Sequence, residues 1–213
     1  AIVLSALLDG MDGKVARLTH TASEFGVQYD SLADLIAFGL APAFLLWQWQ
    51  LEGLGRFGVV VAFLFAACGA LRLARFNIST AVTGKRFFIG LPIPAAGCTV
   101  VAFLYFAGIL PEFFRPALPY VSSIIALGLG VLMVSRVRYF SFKEYDFLRA
   151  HPVRYLLAVM VIFGLVYAQP RLFGFLLCAV YLCGGLYYSF VILPRRNRQL
   201  LRALNLQDED KAA

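Results

Sequence analysis

Apolar runs of about twenty residues follow one another along most of the chain, and they constrain its fold more than any other feature. A helix needs about 20 mainly apolar residues to cross a bilayer, whereas membrane strands are shorter and alternate apolar with polar residues. We therefore predict an all-α, polytopic transmembrane helix bundle. The predicted helices are Ala1–Leu8, Val27–Trp47, Phe57–Phe76, Phe87–Leu110, Pro116–Val134, Val153–Ala168 and Leu172–Leu193.

The composition agrees with a chain whose surroundings are largely lipid. Hydrophobic residues make up 61% of it and charged residues 15%, against about 45–50% and about 25% in soluble domains. We expect one membrane domain over residues 1–193 and a polar tail over 194–213. Because the chain opens inside an apolar run, we expect the first helix to begin before Ala1, and a further apolar helix before Ala1 would make eight helices in the full-length protein.

Lysine and arginine are unevenly divided between the two sets of connections. All but three of the 19 basic residues fall in alternate connections and the tail, and the exceptions are Arg56, Arg115 and Arg171. Short cytoplasmic loops of membrane proteins carry the excess of Lys and Arg. This asymmetry therefore predicts that the basic connections and the tail face the cytoplasm in the cell membrane. The net charge of +7 then reflects topology and contact with anionic lipid, and it does not indicate a nucleic-acid partner.

Four aspartates interrupt the apolar pattern close to the start of the chain. Asp9 and Asp12 are three residues apart, and Asp30 and Asp34 are four apart, so each pair projects from one helix face. The short connection allows the two faces to converge. Clustered carboxylates repel one another near a membrane, and hard divalent cations offset that repulsion. The sequence thus predicts a site for Mg²⁺ or Mn²⁺, and two such ions suit phosphoryl chemistry.

Small and basic residues lie beside these aspartates. Gly13, Ala16 and Gly26 leave helix surface without bulk, so a phosphate or ribose can approach the backbone. Arg17 can donate several hydrogen bonds to a diphosphate. Taken singly, the small residues are as well explained by helix packing, and Arg17 by anchoring at the membrane surface.

The segment from Asp9 to Asp34 matches the pattern D-x2-D-G-x2-A-R-x8-G-x3-D-x3-D at every fixed position. In this it resembles the CDP-alcohol phosphotransferase family. The resemblance implies a membrane enzyme that transfers a phosphoryl-containing group from a CDP-linked donor to a hydroxyl acceptor and releases CMP. It also implies a homodimer.

Roles for single residues follow from the same resemblance. It implies that Asp34 is the base that accepts the proton of the acceptor hydroxyl, and that Asp34 also contacts a metal ion. The other implied metal ligands are Asp9, Asp12 and Asp30. The implied cradle of the cytidine diphosphate consists of Gly13, Ala16, Arg17 and Gly26.

Further stretches resemble the branch of the family that uses CDP-diacylglycerol as donor and L-serine as acceptor. Each is less specific than the aspartate pattern, and the branch rests on their occurring together. They are residues 30–34 running into 38–43, then 71–77, 90–96 and 132–135.

A serine acceptor requires a fixed cation for its carboxylate, and arginine binds a carboxylate through two parallel hydrogen bonds. We expect Arg72, Arg75 and Asn77 to end the third helix at the depth of the aspartates, where either arginine can serve. The alternative is that both arginines only anchor the helix at the interface. The remaining cytoplasmic cations are expected to hold lipid phosphate or to anchor helices, and they are Lys85, Arg86, Arg136 and Arg138.

Other functions remain open at this point. Within the family, the acceptor can instead be glycerol 3-phosphate or an inositol phosphate. A cation transporter would also use intramembrane acids, but these acids cluster at one face and no polar trail crosses the bilayer. Pro92 and Pro94 either kink the fourth helix or mark its start, and we favour the start.

Overall fold

The computed structural model describes Ile2, Ser5 and residues 24–83, 88–135, 137–139 and 152–192. Within these residues the chain is helical apart from short connections and one pair of two-residue strands, which confirms the predicted all-α class. The strands are β1, Phe88–Ile89, and β2, Arg138–Tyr139. The α-helices are α1 Glu24–Asp34, α2 Ala41–Leu46, α3 Arg56–Thr83, α4 Ile93–Ala107, α5 Leu118–Val134, α6 Pro152–Ala168 and α7 Pro170–Tyr187.

Several helical stretches are long and apolar enough to cross a membrane, which identifies an integral membrane protein. Helix α4, with 15 residues, and α6, with 17, are shorter. Each predicted run from Val27 onward corresponds to one helical stretch, and of the first run only Ile2 and Ser5 are described, both helical. The four long stretches are Phe25–Leu54, Arg56–Ile78, Glu112–Val134 and Pro170–Val191.

Three predicted helix boundaries are wrong, and each lies where the chain leaves the apolar region. The second predicted helix does not end at Trp47, since its helical stretch continues to Leu54. Helix α3 does not end at Phe76 but continues to Thr83, although Asn, Ser, Thr and β-branched residues have low helix propensity. The fourth helix does not begin at Phe87. Residues 88–89 pair with β2 instead, and α4 begins at Ile93.

The two prolines mark the start of α4, as predicted. Pro92 is the N-cap residue, and Pro94 lies in the first turn. A proline there removes no hydrogen bond, because the first N–H groups of a helix have no partner within it.

The helix that carries Asp30 and Asp34 changes its hydrogen-bonding pattern immediately after Asp34. Helix α1 passes into a π-helical turn, Leu35–Leu40, and then into α2. Pro42 has no N–H, so it cannot donate the usual α-helical bond to the carbonyl of Phe38, four residues earlier. Turns of this kind are frequent at functional sites. We call the continuous run Phe25–Leu54 the aspartate helix.

Helix α4 approaches the aspartate helix closely at Gly97. A Cβ atom at this position would lie 2.7 Å from the carbonyl oxygen of Phe38, which is a backbone atom and has little freedom to move. Glycine therefore permits the contact, and α4 covers the carbonyl that Pro42 leaves without its α-helical donor.

The hydrophobic core lies between the aspartate helix, α3, α4 and α5. Phe38, Phe65, Ile93 and Met133 are fully buried in it. Helix α3 packs along α5, and α7 packs on the outer side of α4 and also contacts α6. The side chains described in α6 and α7 are mostly exposed, as expected for helices that face lipid.

Candidate active site

Asp34 is the last residue of α1, and Asp30 lies one helical turn before it. Both carboxylates therefore leave the same side of the aspartate helix. Asp30 is exposed, whereas Asp34 is partly buried. Gly26 lies one turn before Asp30 and is exposed. This end of the helix thus offers two carboxylates and, at Gly26, one position without a side chain.

The other half of the predicted aspartate constellation, which consists of Asp9, Asp12, Gly13, Ala16 and Arg17, lies outside the described residues. Among the residues that the structure does describe, no three acidic, histidine or cysteine side chains form a group that could hold a metal ion. Asp30 and Asp34 supply the hard oxygen donors that Mg²⁺ and Mn²⁺ prefer, so they fit half of such a site. The metal site stays a prediction.

Arg72 on α3 is buried, with 7% of its surface exposed. Its Cζ atom lies 5.6 Å from the centroid of the Phe76 ring, and its guanidinium interacts electrostatically with the Asp34 carboxylate. Its Nε atom is buried and has no hydrogen-bond partner among the described residues. A buried donor without a partner costs free energy, so this atom requires an explanation, and an anionic ligand is one.

Arg75 and Asn77 have partners that tie α3 to its neighbours. Arg75 Nη1 donates to the carbonyl oxygen of Val134, at the end of α5, over 3.0 Å. Asn77 Nδ2 donates to Ser31 Oγ over 3.1 Å and to Gln28 Oε1 over 3.3 Å, both on α1. The structure therefore places α3 beside the aspartates at the predicted depth. We call this end of the bundle, marked by Asp34, Asn77 and Val134, the aspartate end.

The connection between α3 and α4 is held at the aspartate end by backbone hydrogen bonds. Gly90 N donates to the carbonyl of Val137 over 2.8 Å, and Leu91 N donates to that of Leu132 over 3.1 Å. Gly90 has a φ of 86°, and a Cβ atom there would collide with the carbonyl oxygen of Met133. Glycine is required on both counts. Residues 90–96 and 132–135 consequently lie side by side.

Of the four residues predicted to hold lipid phosphate, the structure describes only Arg138. Lys85, Arg86 and Arg136 lie outside the described residues. Arg138 lies in β2, where its backbone pairs with Ile89 of β1. Their role stays a prediction.

Tyr181 on α7 is a residue of this region that the sequence does not single out. It is partly buried, packs against the core cluster and lies near enough to Arg72 for an ionised phenol to be attracted to the guanidinium. A tyrosine within an apolar run has no distinguishing spacing, and tyrosine is common in membrane helices near the interface. The residue can be recognised only once α7 is packed in place.

Comparison with known proteins agrees with this arrangement. A family model described as CDP-alcohol phosphatidyltransferase matches residues 1–137, which include both aspartate pairs and Arg72. The chain is 42% identical over 176 residues to the CDP-diacylglycerol–serine O-phosphatidyltransferase of Helicobacter pylori (strain ATCC 700392 / 26695), covering 79% of this chain and 69% of that protein.

Two further proteins are also similar. The chain is 36% identical over 185 residues to the CDP-diacylglycerol–serine O-phosphatidyltransferase of Methanocaldococcus jannaschii, covering 87% of this chain and 80% of that protein. It is 37% identical over 140 residues to the archaetidylserine synthase of Methanothermobacter thermautotrophicus, covering 65% and 55%. The match over residues 1–137 and the similarity to these enzymes show that the chain is an enzyme of the CDP-alcohol phosphatidyltransferase family.

Proposed function

We propose that the protein transfers the phosphatidyl group of CDP-diacylglycerol to the hydroxyl of L-serine and releases phosphatidylserine and CMP. The names of the three relatives all include serine, whereas the lipid that they name differs. The similarity therefore supports the acceptor more strongly than the lipid of the donor.

One structural observation carries the proposal, which is the convergence of the serine-branch stretches at the aspartate end. Residues 71–77 contact residues 30–34 through Asn77 and Ser31. They contact residues 132–135 through Arg75 and the Val134 carbonyl, and residues 90–96 join them through the bond from Leu91 to Leu132. Segments far apart in the sequence thus surround one site.

We assign the serine carboxylate to Arg72. Its buried Nε lacks a partner among the described residues, and the planar guanidinium suits a carboxylate held by two hydrogen bonds. A phosphorylated acceptor carries more charge and would require further cations. Arg75, the nearest alternative on α3, already donates to Val134. Arg72, the arginine that is buried among the described residues, therefore supports an acceptor with a carboxylate, whereas Arg75 keeps its charge and further donors.

We assign the proton transfer to Asp34. Its partial burial and its attraction to Arg72 keep the carboxylate beside the cation, so serine bound at Arg72 would present its hydroxyl to Asp34. The hydroxyl oxygen would bond to the phosphorus that carries the diacylglycerol. The bond from that phosphorus to the bridging oxygen of the CDP group would break, and the serine proton would pass to Asp34.

We also propose that Asp9, Asp12, Asp30 and Asp34 hold two Mg²⁺ or Mn²⁺ ions, with Gly13, Ala16, Arg17 and Gly26 around the cytidine diphosphate. When bound, such ions neutralise charge on the diphosphate and on the leaving group. The distribution of basic residues supports a place in the cell membrane with the aspartate end facing the cytoplasm. A homodimer completes the proposal.

An acceptor screen tests the function. The purified full-length protein is given CDP-diacylglycerol and Mg²⁺ or Mn²⁺, and CMP release is measured with serine, glycerol 3-phosphate, inositol phosphate or no acceptor. We expect release that depends on serine, that stops with EDTA and that returns when excess Mg²⁺ or Mn²⁺ is added. CMP release with another acceptor but not with serine would overturn the assignment of serine. CMP release that persists in EDTA would overturn the proposed requirement for a metal ion.

A further inference from the structure

Asn77 on α3 is tied to α1 through both hydrogens of its side-chain amide. Its Nδ2 atom donates to Ser31 Oγ over 3.1 Å and to Gln28 Oε1 over 3.3 Å. The Ser31 hydroxyl lies 3.1 Å from the carbonyl oxygen of Val27 and 3.4 Å from Asn77 Oδ1, and it can donate to either. One side chain of α3 thus holds two side chains of α1 that lie three residues apart on the same helix face.

Apolar packing among the described residues does little to hold this part of α1. Residues 25–30 are exposed, and the first side chain of the aspartate helix that packs against the core cluster is Leu35. Lipid is as apolar as the side chains of a membrane helix, so the hydrophobic effect does not set the rotation of the helix, whereas a hydrogen bond between helices can. The bonds of Asn77 therefore fix how α1 approaches α3 and which of its faces it presents.

The position of Ser31 determines the positions of the two carboxylates. Ser31 directly follows Asp30 and precedes Asp34 by three residues, and within one helix these side chains keep fixed directions relative to one another. Arg72, to which we assign the serine carboxylate, lies five residues before Asn77 on α3, about 7.5 Å along the axis. The bond from Asn77 to Ser31 consequently joins the helix that holds the acceptor to the helix that carries the acids.

We propose that Asn77 is a positioning residue that, through Ser31, holds Asp34 at reacting distance from serine bound to Arg72, an inference that rests on the proposed function. The alternative is that Asn77 itself binds serine. Both hydrogens of its amide already bond within the protein, which leaves the amide no donor for a carboxylate. Because a misplacement of about 1 Å can cost about 10²-fold in rate, such a bond acts mainly on kcat.

The test measures CMP release with serine at saturating Mg²⁺ or Mn²⁺. We expect Asn77→Ala to lower kcat about 10- to 30-fold, and Ser31→Ala about 3- to 10-fold because the bond to Gln28 remains. The KM for serine should change less than about twofold in both variants, since Arg72 stays in place on α3. Ser31→Thr, which keeps the hydroxyl, should restore kcat to within about twofold of the wild type.

Ser123→Ala is the matched control. The Ser123 hydroxyl also donates to the carbonyl four residues earlier, over 2.8 Å, but it lies on α5 near the opposite end of the bundle. We expect this variant to match the wild type in kcat and in the KM for serine. A loss of kcat equal to that of Ser31→Ala would indicate a general effect on the fold and would overturn the inference.

A double variant separates positioning from direct contact with serine. We expect Asn77→Ala combined with Ser31→Ala to have a kcat within about twofold of that of Asn77→Ala alone, because both changes break the same bond. Losses that multiply would overturn the inference alone. So would a raised KM for serine in Asn77→Ala with unchanged turnover in Ser31→Ala, which is the result expected if Asn77 contacts serine. A wild-type enzyme that releases no CMP with serine would overturn the proposed function as well.

Discussion

The described residues up to Tyr139 and the hairpin of α6 and α7 are both apolar, yet they pack in different ways. Every buried residue of the larger core cluster lies between Phe38 and Val137. In the most apolar stretch of Arg56–Ile78, 44% of the residues are buried, against 6% in that of Pro170–Val191. Apolarity is similar in the two, with mean hydropathies of 2.1 and 1.7, so apolarity alone does not decide which helix becomes core.

Some glycines show the same difference, although Gly128 in α5 also has nothing within 4 Å of its Cβ position and Gly185 in α7 is buried. A Cβ atom at Gly97 would lie 2.7 Å from a backbone carbonyl, whereas Gly164, Gly174 and Gly184 in the hairpin have nothing within 4 Å of that position. Association of helices in lipid depends on close packing of small residues. The presence of glycine is therefore insufficient, and the facing surface must also be complementary. We call the described residues up to Tyr139 the packed region. The hairpin contacts it mainly through α7 and α4, and we assign the chemistry to the packed region.

The largest expected effect tests that assignment. We expect Asp34→Asn to lower kcat about 10²- to 10⁴-fold, because the amide cannot accept the proton of serine, while CDP-diacylglycerol still binds. CMP release and donor binding are measured on the same preparation. Glu52→Gln, which changes an exposed acid at the far end of the aspartate helix, is the control. Full activity in Asp34→Asn would refute the role of Asp34 as base.

The next effect separates two arginines of the packed region that lie three residues apart. We expect Arg72→Lys to raise the KM for serine about 10-fold or more, because lysine keeps the charge but loses the planar pair of donors. Arg75→Lys should weaken the contact with Val134 and lower the apparent unfolding midpoint in detergent, with little change in that KM. A reversed result would move the carboxylate site to Arg75.

A third prediction compares glycines in the two regions. Gly97→Ala should cost about 1–3 kcal/mol of stability, because the new methyl group collides with the Phe38 carbonyl. Gly174→Ala, made in the hairpin where the space is open, should leave stability unchanged or raise it slightly. The apparent unfolding midpoints of both variants in one detergent check this. Equal midpoints would show that the two regions do not differ as described.

The smallest effect is expected at the exposed pair of Arg115 and Glu112, whose charged atoms lie 3.4 Å apart. Both side chains are largely exposed, and exposed ion pairs contribute little to stability. Arg115→Gln should change neither the unfolding midpoint nor CMP release measurably. A marked loss of activity would show that chemistry is not confined to the aspartate end.

Much of the fold, and part of the candidate site, could be predicted from the sequence alone. The length of the apolar runs predicts membrane helices, and the spacing of Asp30 and Asp34 places both on one helix face. The positions of Pro92 and Pro94 predict where α4 begins. These features depend on the period and length limits of a helix, which are local properties of the chain.

The extension of α3 to Thr83 and the pairing of β1 with β2 could not be predicted in this way. Hydropathy marks where a helix leaves the bilayer and says nothing of how far it continues in water. A pair of two-residue strands has no period long enough to detect. Such pairing depends on a partner some fifty residues away, which is brought near by the packing of the helices.

The sequence by itself determined the membrane-spanning helical class, the family and the residues to examine, because helix length, helix period and a spaced set of aspartates are all local patterns. Only the tertiary structure decided that Arg72 is buried with a free Nε among the described residues, and that Arg75 and Asn77 are tied to neighbouring helices. The physical reason is helix rotation. Lipid-facing and protein-facing surfaces of a membrane helix are both apolar, so contacts between helices set which side chain points inward.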